Sequence, residues 1–244
     1  RQYGEERGRR MARRALRDGR RLDHPTCLAY GELRMTDEVP ATVKETVSVS
    51  PDFCVHILQC PWHEQFRAMG AEDCGAVYCR EIDRALYRGF NPEIPFESED
   101  NLNEGPFCIQ RVRNVQATSA LKAEPVVAYQ QDFRFHCAHL FCVMAENAMQ
   151  MTDHGMTMME HVLRSFVTTY GKDQMEVLKT AIRQYLDRDT QSPAQRTVIR
   201  AQKQRTATTA AVRCLLIQML TNDTYGSFVG AHALLVSSWS MTML

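Results

Sequence analysis

The spacing of hydrophobic positions changes twice along the chain, and the changes divide it. Over residues 1–22, Met11, Ala12, Ala15, Leu16 and Leu22 recur at helical spacing with arginines between them, which predicts an amphipathic helix. His24-Pro25 should close it, because the residue before a proline is pushed out of helical geometry, and a loop is expected to about Pro40. Over 41–50 apolar and β-branched residues alternate, Ser50-Pro51-Asp52 signals a turn, and 53–59 is again strand-like, so an antiparallel hairpin is predicted. A helix over 63–69 stopped by Gly70, and a second from Glu72 or Cys74 to Tyr87, follow. Arg88-Gly89-Phe90-Asn91-Pro92 is the exit, with the glycine expected in the left-handed position and the proline preventing continuation. Extended segments at 94–97 and 107–112, separated by polar residues 98–105, complete a β-β-α-β-β unit with an antiparallel sheet covered by helix on one face.

After Gln116 the pattern becomes helical, most clearly over 133–188, with breaks at Asp153-His154-Gly155 and Tyr170-Gly171. A polar linker at 189–193, a helix over 206–220 and a docked apolar tail over 228–244 are expected beyond it. The predicted class is α+β, an antiparallel sheet packed with a helical bundle-like segment, in three parts: 1–118, 119–190 and 191–244. A short internal echo links Tyr3-Gly4 to Tyr170-Gly171, each followed by a charged amphipathic helix.

Composition narrows the partners. With 44% hydrophobic residues in 244 the chain can build an ordinary core. Twenty-nine basic and 29 acidic residues cancel, which removes the global electrostatic case for nucleic acid or a membrane surface and favours a small-molecule partner. The nine arginines within residues 1–21 are either an anion-binding arm or a solvated helix face, and the solvated face is the expectation because such charges normally sit outside. Nine irregularly spaced cysteines suit reduced thiols and a cytoplasmic protein better than a disulfide scaffold. No apolar run approaches the roughly 18–20 residues of a membrane span and no signal-peptide pattern opens the chain, so no anchor is expected. A homo-oligomer is compatible with all of this.

Candidate chemistry concentrates between Cys54 and Cys108. Cys79 and Asp83 stand four residues apart on one predicted helix, so a thiol and a carboxylate share a face. Cys60 ends a strand leading into this region and Cys108 lies in a strand that should pair nearby, so the four positions can converge. A nucleophilic cysteine requires a cationic or basic neighbour, which His63 or a histidine of the helical half could supply, and would show a depressed pKa; otherwise these cysteines pack as small hydrophobes. His136 and His139, three apart on a helix face, are the candidate pair for a divalent metal, but without a His-Glu-x-x-His pattern no cofactor is assigned. No glycine-rich phosphate loop, nucleophile elbow or dinucleotide fingerprint is present.

With these residues in view, the segment around Cys60-Pro61-Trp62, Tyr78-Cys79, Asp83, Gly89-Phe90-Asn91-Pro92 and Gly105-Pro106-Phe107-Cys108 resembles the family of L-2-amino-thiazoline-4-carboxylic acid hydrolases. The resemblance implies that water adds to the amidine-like carbon of a thiazoline ring to give a carbamoyl-cysteine. Phe135-His136, His139-Leu140-Phe141, Glu160, Leu163-Arg164 and Tyr170-Gly171 also resemble helices that in this family come before the cysteine-rich part, whereas here they follow it. A second incomplete copy, a permuted chain and a missing leading segment all account for that order.

The function expected is therefore a hydrolase opening a small cyclic amidine of thiazoline-carboxylate type at a C–N bond. Cys79, Asp83, His139 and His63 are its candidate catalytic residues, and Cys60, Trp62, Tyr78, Asn91 and Cys108 its candidate substrate-binding residues. A non-catalytic small-molecule-binding or sensory module, or a helical assembly or regulatory subunit, is the alternative.

Overall fold

A computed structural model describes residues 1–36, 41–115 and 123–190, without the side chains of 188–190. The expected helix over 206–220 and the tail over 228–244 lie outside the described residues. The chain divides into two compact units, the first Arg1–Asp132 and the second beginning at Phe133.

The first unit opens with α1 (Gln2–Arg17), shorter than its apolar pattern suggested, and α2 (His24–Ala29). Here the expectation of a loop fails. Asp23 accepts a hydrogen bond from the Thr26 amide at 3.0 Å and Pro25 occupies the first turn, where a missing N–H costs no intrahelical bond. The proline starts a helix instead of ending one. The predicted hairpin follows as β1 (Val43–Ser48) and β2 (Phe53–Gln59), then α3 (Pro61–Ala68), α4 (Glu72–Phe90), β3 (Phe96–Glu99) and β4 (Cys108–Val112). The strands form one antiparallel sheet in the order β1-β2-β4-β3. A 3-10 turn at Val127–Tyr129 and a bridge between Leu33 and Gln131 close the unit.

Register places the site. Ile57 pairs with Cys108, Val55 with Gln110 and Phe53 with Val112, while Ser98 pairs with Gln110 and Phe96 with Val112. Because side chains alternate across a strand, Cys108, Gln110 and Val112 share one face with Phe96 and Ser98. α4 contacts β3 along this edge: Phe96 stacks on Tyr87 with ring centroids 3.9 Å apart, and the Arg84 guanidinium donates to the Ser98 carbonyl.

α1 and α4 cross at backbone contact. A Cβ on Gly8 would stand 2.1 Å from the Leu86 carbonyl oxygen, and one on Gly89 would stand 2.1 Å from that of Glu5. Gly89 is therefore a helical residue, not the left-handed exit that was expected; α4 runs to Phe90 because its glycine is needed for close approach. Met11, Ala12 and Ala15 of α1 then join Cys27, Tyr30, Tyr87 and Phe90 in one core cluster.

The arginine-rich face is only partly solvated. Arg7, Arg10 and Arg14 lie along one stripe of α1 and turn inward around Glu32, whose side chain is fully buried. Arg10 donates to both its carboxylate oxygens at 3.0 and 2.8 Å, and Arg14 donates at 2.7 Å. Burial alone would raise the Glu32 pKa, but the three guanidinium charges together outweigh it and hold the carboxyl below its ordinary value.

The second unit contains α5 (Phe133–Met151), α6 (Gly155–Tyr170) and α7 (Lys172–Thr190), with α5 packed on both others. Both predicted breaks occur as expected. Gly155 fits against the Ala148 backbone, where a Cβ would come within 2.6 Å, and Gly171 turns the chain at φ +76°. The echo between Tyr3-Gly4 and Tyr170-Gly171 does not extend to structure, since Gly4 is inside α1 against Ala85 and Gly171 separates two helices.

Candidate functional site

The site forms where α4 faces β4 and the N-terminus of α3. Cys79 and Asp83 lie one turn apart on α4. The Gln110 side-chain amide, from the covered face of β4, donates to Asp83 Oδ2 at 2.8 Å. Cys108 stands two residues earlier on the same strand face and accepts a hydrogen bond from the Leu102 amide at 3.3 Å. Cys60 precedes Pro61 as the N-cap of α3, without a side-chain capping hydrogen bond, and the backbone amides of His63 and Trp62 work against the rise of its thiol pKa. All four expected positions thus come together, close enough for their charges to act on one another, and each remains partly open to solvent.

The loop between β3 and β4 supplies what the sequence reading treated as a separator. Asn103 donates to Cys79 Sγ at 3.6 Å and to Asn101 Oδ1 at 3.1 Å, and its own Oδ1 lies 3.2 Å from His63 Nδ1. His63 consequently reaches Cys79 through an asparagine, not directly. Asn101 is buried at 2% exposure and its Oδ1 also accepts the Asn103 amide at 3.0 Å, which sets the loop. The density of asparagines at 101–103 is a turn signal in sequence; that one reaches the thiol depends on the β3–β4 pairing.

Electrostatics runs against a resting thiolate. Burial pushes the Cys79 thiol strongly up, and Cys60, Asp83 and Cys108 add to the rise against the Asn103 hydrogen bond. Burial raises Cys60 as well, and pushes Cys108 up to about 11. The depressed thiol pKa expected of a nucleophile is absent from this cluster: no cation close to the sulfurs outweighs desolvation. Asp83 is raised by burial, with Arg7 and the Gln110 hydrogen bond pulling the other way. Tyr78, whose ring lies 5.9 Å from that of Phe66, is raised well above its ordinary value by burial and by neighbours that include Tyr3, Cys79 and Asp83.

One expected residue lies at the far end of its helix, and another belongs to the second unit. Asn91 caps the far end of α4, roughly 18 Å along the axis from Cys79 at 1.5 Å per residue. There its amide donates to the Leu22 carbonyl at 2.8 Å and its Oδ1 accepts the Glu93 amide at 3.0 Å, so it joins chain segments and does not line the cluster. His139 belongs to α5 of the second unit, fully buried, with its ring stacked on Tyr185 at 5.1 Å. His136 is fully buried on the same helix. Among the described residues no group of three or more His, Cys, Asp or Glu side chains could hold a metal ion, so the pair gains no third ligand there. Trp62 lies in the first turn of α3, beside Cys60.

One residue outside the expected window also enters. Arg7 of α1 acts on Asp83 and Tyr78, and only 6% of it is exposed. No local signal distinguishes it from its arginine neighbours, because its position depends on the glycine-mediated crossing of α1 over α4. Among the described residues no helix is long and apolar enough to cross a membrane.

No curated protein and no solved structure matches the chain. Residues 1–108 match the sequence family described as L-2-amino-thiazoline-4-carboxylic acid hydrolase, a stretch that runs from α1 to Cys108 and leaves the second unit outside the match.

Proposed function

We propose that the chain, whose residues 1–108 match the L-2-amino-thiazoline-4-carboxylic acid hydrolase family, hydrolyses a small cyclic amidine of thiazoline-carboxylate type, with Asp83 as the central acid–base group. The observation that carries the reading is a carboxylate held by Gln110 and raised in proton affinity by burial, amid three thiols and in partial contact with solvent. A carboxyl displaced toward neutrality is suited to accepting and returning a proton, and an amidinium brought beside it gains a counter-charge in a poorly solvated place.

The steps balance as follows. Water adds its oxygen to the amidine carbon and gives a proton to Asp83. The tetrahedral carbon then collapses, the ring C–N bond breaks, Asp83 returns its proton to the departing nitrogen, and the new hydroxyl releases the proton that the amidinium brought. The sulfur stays on that carbon in the resulting S-carbamoyl-cysteine; collapse through the C–S bond, with the proton returned to sulfur, balances equally and gives the N-carbamoyl isomer. Cys79, protonated at neutral pH by its surroundings, fits this scheme as a neighbour of the reacting carbon more readily than as the attacking group.

The test is turnover of L-2-amino-thiazoline-4-carboxylate by the full chain beside Asp83→Asn and Cys79→Ala. Asp83→Asn should lose roughly 100-fold or more in kcat, as loss of a general base does, while Cys79→Ala should lose less. The reverse ranking would move the chemistry to the thiol. Folded protein whose melting temperature rises with the amidine but which never turns it over would establish a binding module instead.

A further inference from the structure

We propose that Arg7 binds the carboxylate of the substrate, so that the cluster selects zwitterionic cyclic amidines: the cationic amidine end beside Asp83 and the anionic end on the Arg7 guanidinium. This rests on the hydrolase reading of the same cluster and names a residue and a selectivity that the reading leaves open.

Arg7 occupies the face of α1 that carries Gly4 and Gly8, the two positions in backbone contact with α4. The crossing leaves its side chain 7% exposed, and its Nε is buried with no hydrogen-bond partner. The nearest carboxylate oxygen, on Glu32, is 3.9 Å from Nε, beyond hydrogen-bond reach. Glu32 is already engaged by Arg10 and Arg14 at 2.7–3.0 Å. The Arg7 guanidinium carbon stands 5.5 Å from the centroid of the Tyr3 ring. Its charge also acts on Asp83 and Tyr78 of the candidate site, and on Cys27 of the neighbouring core.

A guanidinium offers five donors in a planar fork that matches a carboxylate, and a buried donor without an acceptor is costly. An ion pair present only to neutralise Glu32 would place Arg7 as Arg10 is placed, within hydrogen-bond distance. Arg7 instead keeps its charge near both acids while Nε lacks an acceptor from the protein. A ligand carboxylate supplies one, and the distance between anion and cation within a single small ring system then sets which end meets Asp83.

The experiment compares kcat/KM for L-2-amino-thiazoline-4-carboxylate with that for 2-amino-2-thiazoline, which lacks the carboxylate, in the full chain and in Arg7→Gln and Arg7→Lys. The wild type should favour the carboxylated substrate by roughly 10- to 100-fold, the range expected of a charge-assisted hydrogen bond. Arg7→Gln should bring the ratio close to one through KM of the carboxylated substrate, and Arg7→Lys, which keeps the charge and loses the fork, should fall between. A purely structural Arg7 would lower both substrates alike and leave the ratio intact, which overturns the proposal. If Arg7→Gln does not fold, the ratio in Arg7→Lys decides. Should the wild type turn over neither compound, the hydrolase reading fails by itself, and the same comparison made by ligand-induced melting shifts decides the fate of Arg7: no dependence on the carboxylate or on Arg7 overturns it.

Discussion

Adding one methyl group where α1 crosses α4 should damage both stability and the candidate site. In Gly8→Ala the new Cβ would lie 2.1 Å from the Leu86 carbonyl oxygen and 2.5 Å from the Phe90 amide nitrogen, both backbone atoms of a neighbouring helix that cannot rotate away. Normal contact requires the helices to part by roughly 1 Å, and overpacking of this kind costs about 1–3 kcal/mol. Replacing a helical glycine by alanine would return about 1 kcal/mol of propensity, so a net loss of about 2 kcal/mol is expected at the severe end of the range. Gly105→Ala is the control, because its nearest atom, the Asn101 carbonyl oxygen, is 3.8 Å away; it should change stability by less than about 0.5 kcal/mol. Urea unfolding followed by far-UV circular dichroism reads both. Turnover should fall further than stability accounts for, since displacement of α1 moves Arg7 relative to Asp83 and a misplacement near 1 Å can cost about 100-fold. Gly8→Ala as stable and active as the Gly105→Ala control would refute the close crossing and the placement of Arg7 with it.

Three further outcomes are expected. Glu32→Gln removes the buried charge shared by Arg10 and Arg14 and should cost about 3–5 kcal/mol in the same urea assay, as breaking a buried ion network does; a loss below 1 kcal/mol would show that water already serves those guanidiniums. His24 is held neutral by burial, with its pKa lowered to about 4 from the ordinary 6.5. Its unfolded form therefore takes up a proton first, and stability should fall as pH drops from 6.5 to 4, by roughly 3 kcal/mol at most. Asp83, raised by burial, works in the opposite sense, so the acid loss should steepen in Asp83→Asn; unfolding curves at pH 7, 5.5 and 4.5 check both signs. Finally, Cys60, Cys79 and Cys108 should react with iodoacetamide at pH 7 more slowly than a free cysteine, because all three thiols are raised; labelling followed by peptide mass analysis would contradict this by finding any of them the fastest site.

Much of the architecture was legible in local pattern. The alternation over 41–59 produced a hairpin, and the breaks at Asp153-His154-Gly155 and Tyr170-Gly171 became the ends of helices. The four-residue spacing of Cys79 and Asp83 put them on one face of α4, with Cys60 after the end of β2 and Cys108 in β4, the strand expected to pair nearby. Errors arose where one residue type serves two purposes. Proline both ends helices and opens them, and at Pro25 the Asp23 cap decided for opening. Glycine both leaves helices and lets them touch, and at Gly89 the Glu5 carbonyl decided for contact. Asn91 matched the family motif beside the site residues yet holds Leu22 and Glu93 at the other end of its helix.

The sequence by itself determined the elements, their order and the carboxylate–thiol pair on α4, because periodicities of two and near 3.6 residues, caps and breakers act over a single turn or strand. Only the tertiary structure decided which arginine of many acts on Asp83, that Asn103 reaches Cys79, that Gln110 holds the carboxylate, and that the thiols are raised instead of lowered. Each of these depends on how many protein atoms surround a group and on which distant backbone arrives beside it. Helix crossing and strand register fix those quantities, and no single stretch of the chain contains them.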